Sequence, residues 1–198
     1  MKLLLHPLPV RIFHWVMFST VTYLVLTGLY LHDPWSNLLP FGLIRKTHTF
    51  AGIVLLLNLF GQIYYYLYTG KYTEIVFTTH DLPNLRSFFR YVFFITENHP
   101  NYGRYNPGQK ALFTSWGLVV LLAGYCSLPY LLPQYESWLS RPVGGLMGIR
   151  ILFYAITMYF LATIPLHLLL AFTESPAKLQ AMFSGYINKE PKLKKTEN

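Results

Sequence analysis

Charge is what this chain has least of. Asp, Glu, Lys and Arg make up 12% of its 198 residues, where an ordinary soluble domain carries roughly 25%. Hydrophobic residues reach 53% and the mean hydropathy is +0.33, which excludes a water-soluble globular domain. Cysteine is nearly missing as well. Cys126 alone rules out an internal disulfide, an iron–sulfur cluster held by this chain, and thioether attachment through C-x-x-C-H. There is no H-E-x-x-H pattern and no cysteine pair at zinc spacing. There is also no internal or inverted repeat of the kind that builds a transporter around a midplane site. The net charge of +8 does not point to nucleic acid, because the basic residues stand between apolar runs and no basic-aromatic recognition module is present. Met1-Lys2-Leu3-Leu4-Leu5 is followed by Pro7 and Pro9 and by no small-residue cleavage site, so it reads as an N-terminal tail meeting the membrane, not a signal peptide.

What is present is four apolar runs, at about 11–31, 47–68, 111–132 and 149–172, each near the ~20 residues needed to span a bilayer. They predict an all-α integral membrane four-helix bundle. An even number of spans places both termini on one side. Twelve Lys and Arg fall on that side, in the first residues, the 69–110 loop and the tail; four (Arg45, Lys46, Arg141, Arg150) fall on the other. The positive-inside rule therefore makes both termini cytoplasmic. The long cytoplasmic loop contains Leu85-Arg86-Ser87-Phe88-Phe89-Arg90-Tyr91, with arginines one turn apart among aromatics, which predicts an amphipathic helix lying on the membrane surface. Aromatics at 18% exceed what a packed core needs; Tyr64-Tyr65-Tyr66 and Trp35 suit interfacial belts. Span three, free of ionisable side chains and carrying Gly117, Ala123 and Gly124, reads as scaffold. Arg141-Pro142-Val143-Gly144-Gly145 reads as a flexible lead into span four. Residues 1–185 are expected to form one membrane domain and 186–198 a polar, lysine-rich, loosely ordered tail.

Two histidines enter the membrane at matching depth. His14 stands about one turn inside span one and His167 about as far from the end of the antiparallel span four, each roughly 5–8 Å from the cytoplasmic boundary. Ionisable groups at that depth are costly and functional by default, and imidazole is a common metal ligand, so the pair suggests one iron held between two helices. Arg11, three residues before His14 and on its face, could pair with a carboxylate of a haem at the membrane edge. His48 lies about 20 Å away in depth, on span two, and cannot share that iron. Met147 and Met158 are the thioethers nearest its level on span four. His6, His32, His80 and His99 fall in tails or loops and are expected to be solvent-exposed or loop-structuring. Asn106-Pro107-Gly108-Gln109 has the form of a helix cap with a first-turn proline.

Taken in order, Arg11-Ile-Phe-His14-Trp15, Lys46-Thr-His48 with Gly52, Tyr105-Asn-Pro-Gly-Gln-Lys110, Arg150 and His167 resemble the membrane cytochrome b subunits found with bacterial formate dehydrogenases, nickel–iron hydrogenases and related reductases, a branch of the prokaryotic cytochrome b561-like superfamily. The resemblance covers about 11–172. It implies b-type haem with His14 and His167 as axial ligands on the cytoplasmic side, and a quinone site beside the Asn106–Gln109 turn. It also implies an outer haem between His48 and a histidine of an R-x-x-H motif. That motif reads Arg150-Ile151-Leu152-Phe153 here, so one haem is expected, and a second would rest on His48 alone or with Met147. The function so implied is electron transfer between the quinone pool and a partner redox subunit of iron–sulfur or cytochrome c type, in a bacterial inner membrane. Nothing in the chain could oxidise formate, hydrogen or a sulfur compound. The alternatives are a stand-alone b561-type quinone oxidoreductase and a haem-free membrane anchor of a redox complex.

Overall fold

A computed structural model describes residues 2–35, 39–96, 102, 104–174 and 176–188. Four long helices dominate it: α1 (Leu8–His32), α2 (Phe41–Tyr68), α5 (Pro107–Leu131) and α7 (Gly145–Glu174). Between α2 and α5 come α3 (Tyr72–Ile75), a 3₁₀ turn (Thr79–Asp81) and α4 (Leu82–Val92); between α5 and α7 comes α6 (Glu136–Ser140), flanked by 3₁₀ turns. The chain closes with α8 (Pro176–Ser184) and a strand, β2 (Tyr186–Asn188), paired antiparallel with β1 (Lys2–Leu4). The four predicted spans and the amphipathic helix of the 69–110 loop are all found.

The helices start earlier than apolarity alone suggested. Pro9 does not interrupt α1 but stands in its first turn, where a missing N–H breaks no hydrogen bond. Pro40 caps α2 five residues before Arg45, so the basic pair Arg45-Lys46 is helical and extends past the hydrocarbon. At α5 the reciprocal capping box carries the start: Asn106 Oδ1 accepts from Gln109 N (2.8 Å), and Gln109 Oε1 accepts from Asn106 N (3.1 Å). Further breaks differ from expectation in the same direction. The tail predicted to loosen at 186 supplies β2, and the segment 133–148 is largely helical before Gly144 and Gly145 turn the chain with positive φ of 85° and 73°.

Each long helix packs on two neighbours, in the ring α1–α2–α5–α7, around Val21, Val25, Leu55, Leu59, Val120 and Phe160. That core is thin. Only 11% to 28% of the most apolar stretch of each helix is buried inside the protein, so the outer surface is hydrocarbon that water would not tolerate and lipid would. Hydroxyls within the spans are satisfied locally: Thr20, Thr157 and Thr163 each donate to the carbonyl one turn back. Because α1 and α7 are adjacent and antiparallel, the first turns of one lie beside the last turns of the other. This is the end of the bundle that also carries β1, β2, α3, α4 and α8.

Candidate haem site

His14 and His167 meet there. Their ring centroids are 6.5 Å apart with planes at 48°, and each Nδ1 is buried with no hydrogen-bond partner among the described residues. An imidazole has one donor and one acceptor nitrogen, and an unmet polar atom at membrane depth is costly. Three indole or phenyl rings wall the pair: Trp15 lies 5.1 Å edge-on from His14, Phe113 5.9 Å and Trp116 5.3 Å from His167. Phe113 and Trp116 come from α5, the span that sequence alone marked as scaffold; their spacing of three, which puts them on one helix face, was the available signal. Trp116 is held by Nε1 donating to Thr163 Oγ1 at 2.9 Å, and Trp15 by Nε1 donating to the Met182 carbonyl at 3.3 Å. Pro165, two residues before His167, removes one helical hydrogen bond at this level of α7. Buried Asn58 of α2 donates to the Phe13 carbonyl at 3.1 Å and ties down the turn that carries His14.

Arg11 stands on the terminal side of the pair, its Nη1 bonded to the Phe183 carbonyl and its Nε buried without a partner. Asn106 and Gln109 are both buried, and the cap uses the oxygen of each. Either reading of that turn, helix cap or quinone contact, begins from this one geometry. Phe88 of α4 seats its ring directly on Gly108 in the same turn, and Lys110 pairs with Asp81 at 2.8 Å. Burial opposes ionisation of Asp81, but bonds from Lys110 and Thr78 outweigh it and hold the carboxyl below its usual range.

His48 is elsewhere. Thr27 lies against it, while Phe13 lies against Asn58; fourteen residues of α1 separate those two levels, about 21 Å. Thr27 Oγ1 donates its one proton to the Tyr23 carbonyl at 2.6 Å, so it accepts from His48 Nδ1 at 2.7 Å, and the His48 lone pair is on Nε2. Phe153, which stands where the R-x-x-H resemblance expects a histidine, lies 6.4 Å from the Tyr130 ring. Met147 is 65% exposed and so points away from the bundle interior. Of the loop histidines, His32 is in α1 against Tyr154, and His80 is exposed in the 3₁₀ turn. His6 is buried, in a loop-structuring role. His99 lies outside the described residues.

The family model described as prokaryotic cytochrome b561 matches residues 5–185. The chain belongs to that family. Among curated proteins it is 30% identical over 121 residues, 54% of this chain and 46% of the relative, to a probable Ni/Fe-hydrogenase B-type cytochrome subunit of Rhodobacter capsulatus. It thus spans about half the length of that relative. Membership makes this a membrane electron-transfer protein of the b-type cytochrome class, and a b-type cytochrome holds haem through axial ligands alone. The residues of the terminal end fit that group. The two imidazoles, 6.5 Å apart between ring centres, are near enough that one metal could be held between them. The two unpartnered ring nitrogens are of the right chemistry, and flat aromatic walls suit a flat macrocycle. Toward the other end stand the His48 imidazole and, at position 153, a phenyl ring.

Proposed function

We propose that this chain is the cytochrome b subunit of a quinone-linked redox complex, multi-pass in a bacterial inner membrane with both termini cytoplasmic. One haem b is held between His14 and His167. The observation that carries the reading is this histidine pair, which is buried, unpartnered at both Nδ1 atoms and enclosed by Trp15, Phe113 and Trp116. When bound, haem b supplies a one-electron iron couple at a fixed position. The chain does the rest. His14 and His167 each give a lone pair, the aromatic walls exclude water and lower the local dielectric, and Arg11 offsets a cofactor carboxylate at the membrane edge. The Asn106 cap holds the α5 turn, and on this reading the Gln109 amide nitrogen donates to a quinone oxygen at the side where protons are available.

A partner redox subunit, of iron–sulfur or cytochrome c type, supplies or removes the electrons, since no group in this chain could activate a substrate such as hydrogen or formate. The relative's name as a hydrogenase cytochrome subunit supports a partner of that general kind. The outer half carries no second haem on this reading, because Phe153 offers no lone pair and Met147 is turned away.

The test is haem per polypeptide by pyridine haemochrome on detergent-purified protein, with His14→Ala, His48→Ala and His167→Ala beside it. A value near one, lost with His14→Ala or His167→Ala and kept with His48→Ala, is expected. A value near two, halved by His48→Ala, would restore an outer haem. No Soret band from folded protein would leave a membrane anchor. Full quinol oxidation by the chain alone, with a diffusible acceptor such as superoxide, would indicate a stand-alone oxidoreductase.

A further inference from the structure

A second arginine at the terminal end has no assigned role. Arg104 is nearly buried, its side chain 15% exposed, and both of its Nη atoms are engaged: Nη1 with Glu74 Oε2 at 2.8 Å, Nη2 with His6 Nδ1 at 3.0 Å. Its guanidinium carbon lies 5.5 Å from the centre of the Tyr105 ring. These contacts fix the fork and leave the buried Nε, which has no hydrogen-bond partner among the described residues. Arg11 is in the same condition, with Nη1 on the Phe183 carbonyl, no carboxylate partner among the described residues and a buried Nε without a partner. The backbone brings the two together. A side chain at Gly185 would come within 3.5 Å of the Arg11 guanidinium and 3.1 Å of the His6 carbonyl, and His6 bonds Arg104.

The two arginines are linked to the two histidines in parallel ways. From His14 the rings run through Trp15 (5.1 Å) to Phe183 (4.8 Å further), whose carbonyl holds Arg11. From His167 they run through Phe113 (5.9 Å) to Tyr105 (5.2 Å further), which lies under Arg104. Each of these two part-buried guanidiniums keeps a buried Nε–H unmet among the described residues, and an arginine edge is matched to a carboxylate. The group proposed between the histidines carries two carboxylates. Arg11 accounts for one.

We infer that Arg104 is the anchor for the second carboxylate of the haem, with His6 and Glu74 as positioning residues that hold the guanidinium in the required plane. This rests on the haem assignment to His14 and His167. His6 serves as the neutral acceptor for Nη2, a role its environment enforces, since burial first and the Arg104 charge next push its imidazole down to about 4.

Two measurements on detergent-solubilised holoprotein test it. In the first, haem transfer to apomyoglobin is timed for the parent, Arg104→Gln and Arg104→Lys. Loss of a charge-assisted bond should speed release roughly ten- to hundredfold in Arg104→Gln, with Arg104→Lys between the two. The same proteins loaded with haem dimethyl ester, which has no carboxylate, should release it at equal rates. Unchanged release from Arg104→Gln, or equal acceleration with both cofactors, would overturn the assignment; the second result would make Arg104 merely structural. The second measurement is the haem midpoint potential. Arg104→Gln should move it down, and Glu74→Gln, which removes the opposing charge, should move it up; shifts of one sign would also count against the assignment. Failure of the underlying haem reading looks different: the parent would bind no haem, or would keep it in His14→Ala and His167→Ala.

Discussion

Replacing Gly108 by alanine puts a methyl group where the Phe88 ring already is. An ideal Cβ at that position would lie 2.3 Å from Cζ, 2.6 Å from Cε1 and 3.1 Å from Cε2 of the ring, against about 3.5–4.0 Å for a comfortable carbon–carbon contact. The methyl meets the tip of the ring, so the ring must withdraw by more than about 1 Å, and α4 moves with it. Overpacking of this kind costs about 1–3 kcal/mol. Expelling the ring instead gives up burial worth about 1.5–3 kcal/mol. The two routes overlap near 2 kcal/mol, and the loss falls on α4 because Phe88 is the buried residue of that helix. Amide exchange across 82–92 is the assay: about 2 kcal/mol is a roughly thirtyfold increase in opening, with little change in the four spans. Phe88→Ala should loosen α4 as well, yet the double variant Gly108→Ala/Phe88→Ala should be no worse than Phe88→Ala, since the methyl then enters vacated space. Exchange identical to the parent in Gly108→Ala, or additive losses in the double variant, would refute the seating of α4 on the α5 turn.

Gly148→Ala should be harsher, because its Cβ would overlap the Val143 carbonyl and no side chain can swing aside; the expected reading is a lower thermal midpoint than for Gly108→Ala. Thr27→Val, which takes the acceptor from His48 Nδ1, should lower stability by about 1–3 kcal/mol through an orphaned donor while leaving the haem content unchanged by pyridine haemochrome. Acid should weaken the terminal end through His6. Its imidazole is held at about 4 when folded and returns to 6.5 when unfolded, so between those values the unfolded chain binds more protons. Stability therefore rises from pH 4 to 6.5, by about 3 kcal/mol at most, and is flat above. Thermal midpoints across that range should be less steep in His6→Gln than in the parent, and equal slopes would exclude His6 as the source.

The bundle was legible because membrane solvation imposes simple requirements. Runs of apolar residues and the uneven distribution of Lys and Arg are long-range statistical signals, and they survive ignorance of every contact. Arginines one turn apart among aromatics likewise placed α4 on the surface. Helix ends were less legible, since a helix continues past the hydrocarbon wherever its backbone bonds are met, and Pro9 and Pro40 stop nothing at the positions they occupy. The pairing of β1 with β2 was hidden for a different reason: three-residue strands 182 residues apart leave no pattern in either segment. What brings them together is tertiary, the return of α7 and α8 to the end where α1 begins.

The site was legible where depth alone decides and illegible where a loop decides. His14 and His167 could be paired from helix rise, because antiparallel neighbours convert sequence position into height. Arg104 could not be placed, because the 38 residues 69–106 separate α2 from α5 and nothing in their order says which side chain turns inward. Nor does the sequence distinguish a buried, loop-structuring His6 from a solvent-exposed one. Its burial follows from β1 and Gly185, whose carbonyl receives the amides of Leu5 and His6. The amides of Asn106 and Gln109 show the opposite case. Their motif states the cap fully, and the structure adds that the oxygen of each serves it; a quinone oxygen only accepts, so any bond to it must come from an N–H. That makes an asymmetric test available: Gln109→Glu keeps the oxygen that caps Asn106 but removes the amide donor. It should leave α5 intact by amide exchange while weakening quinol oxidation, whereas a residue that only caps the helix would change neither.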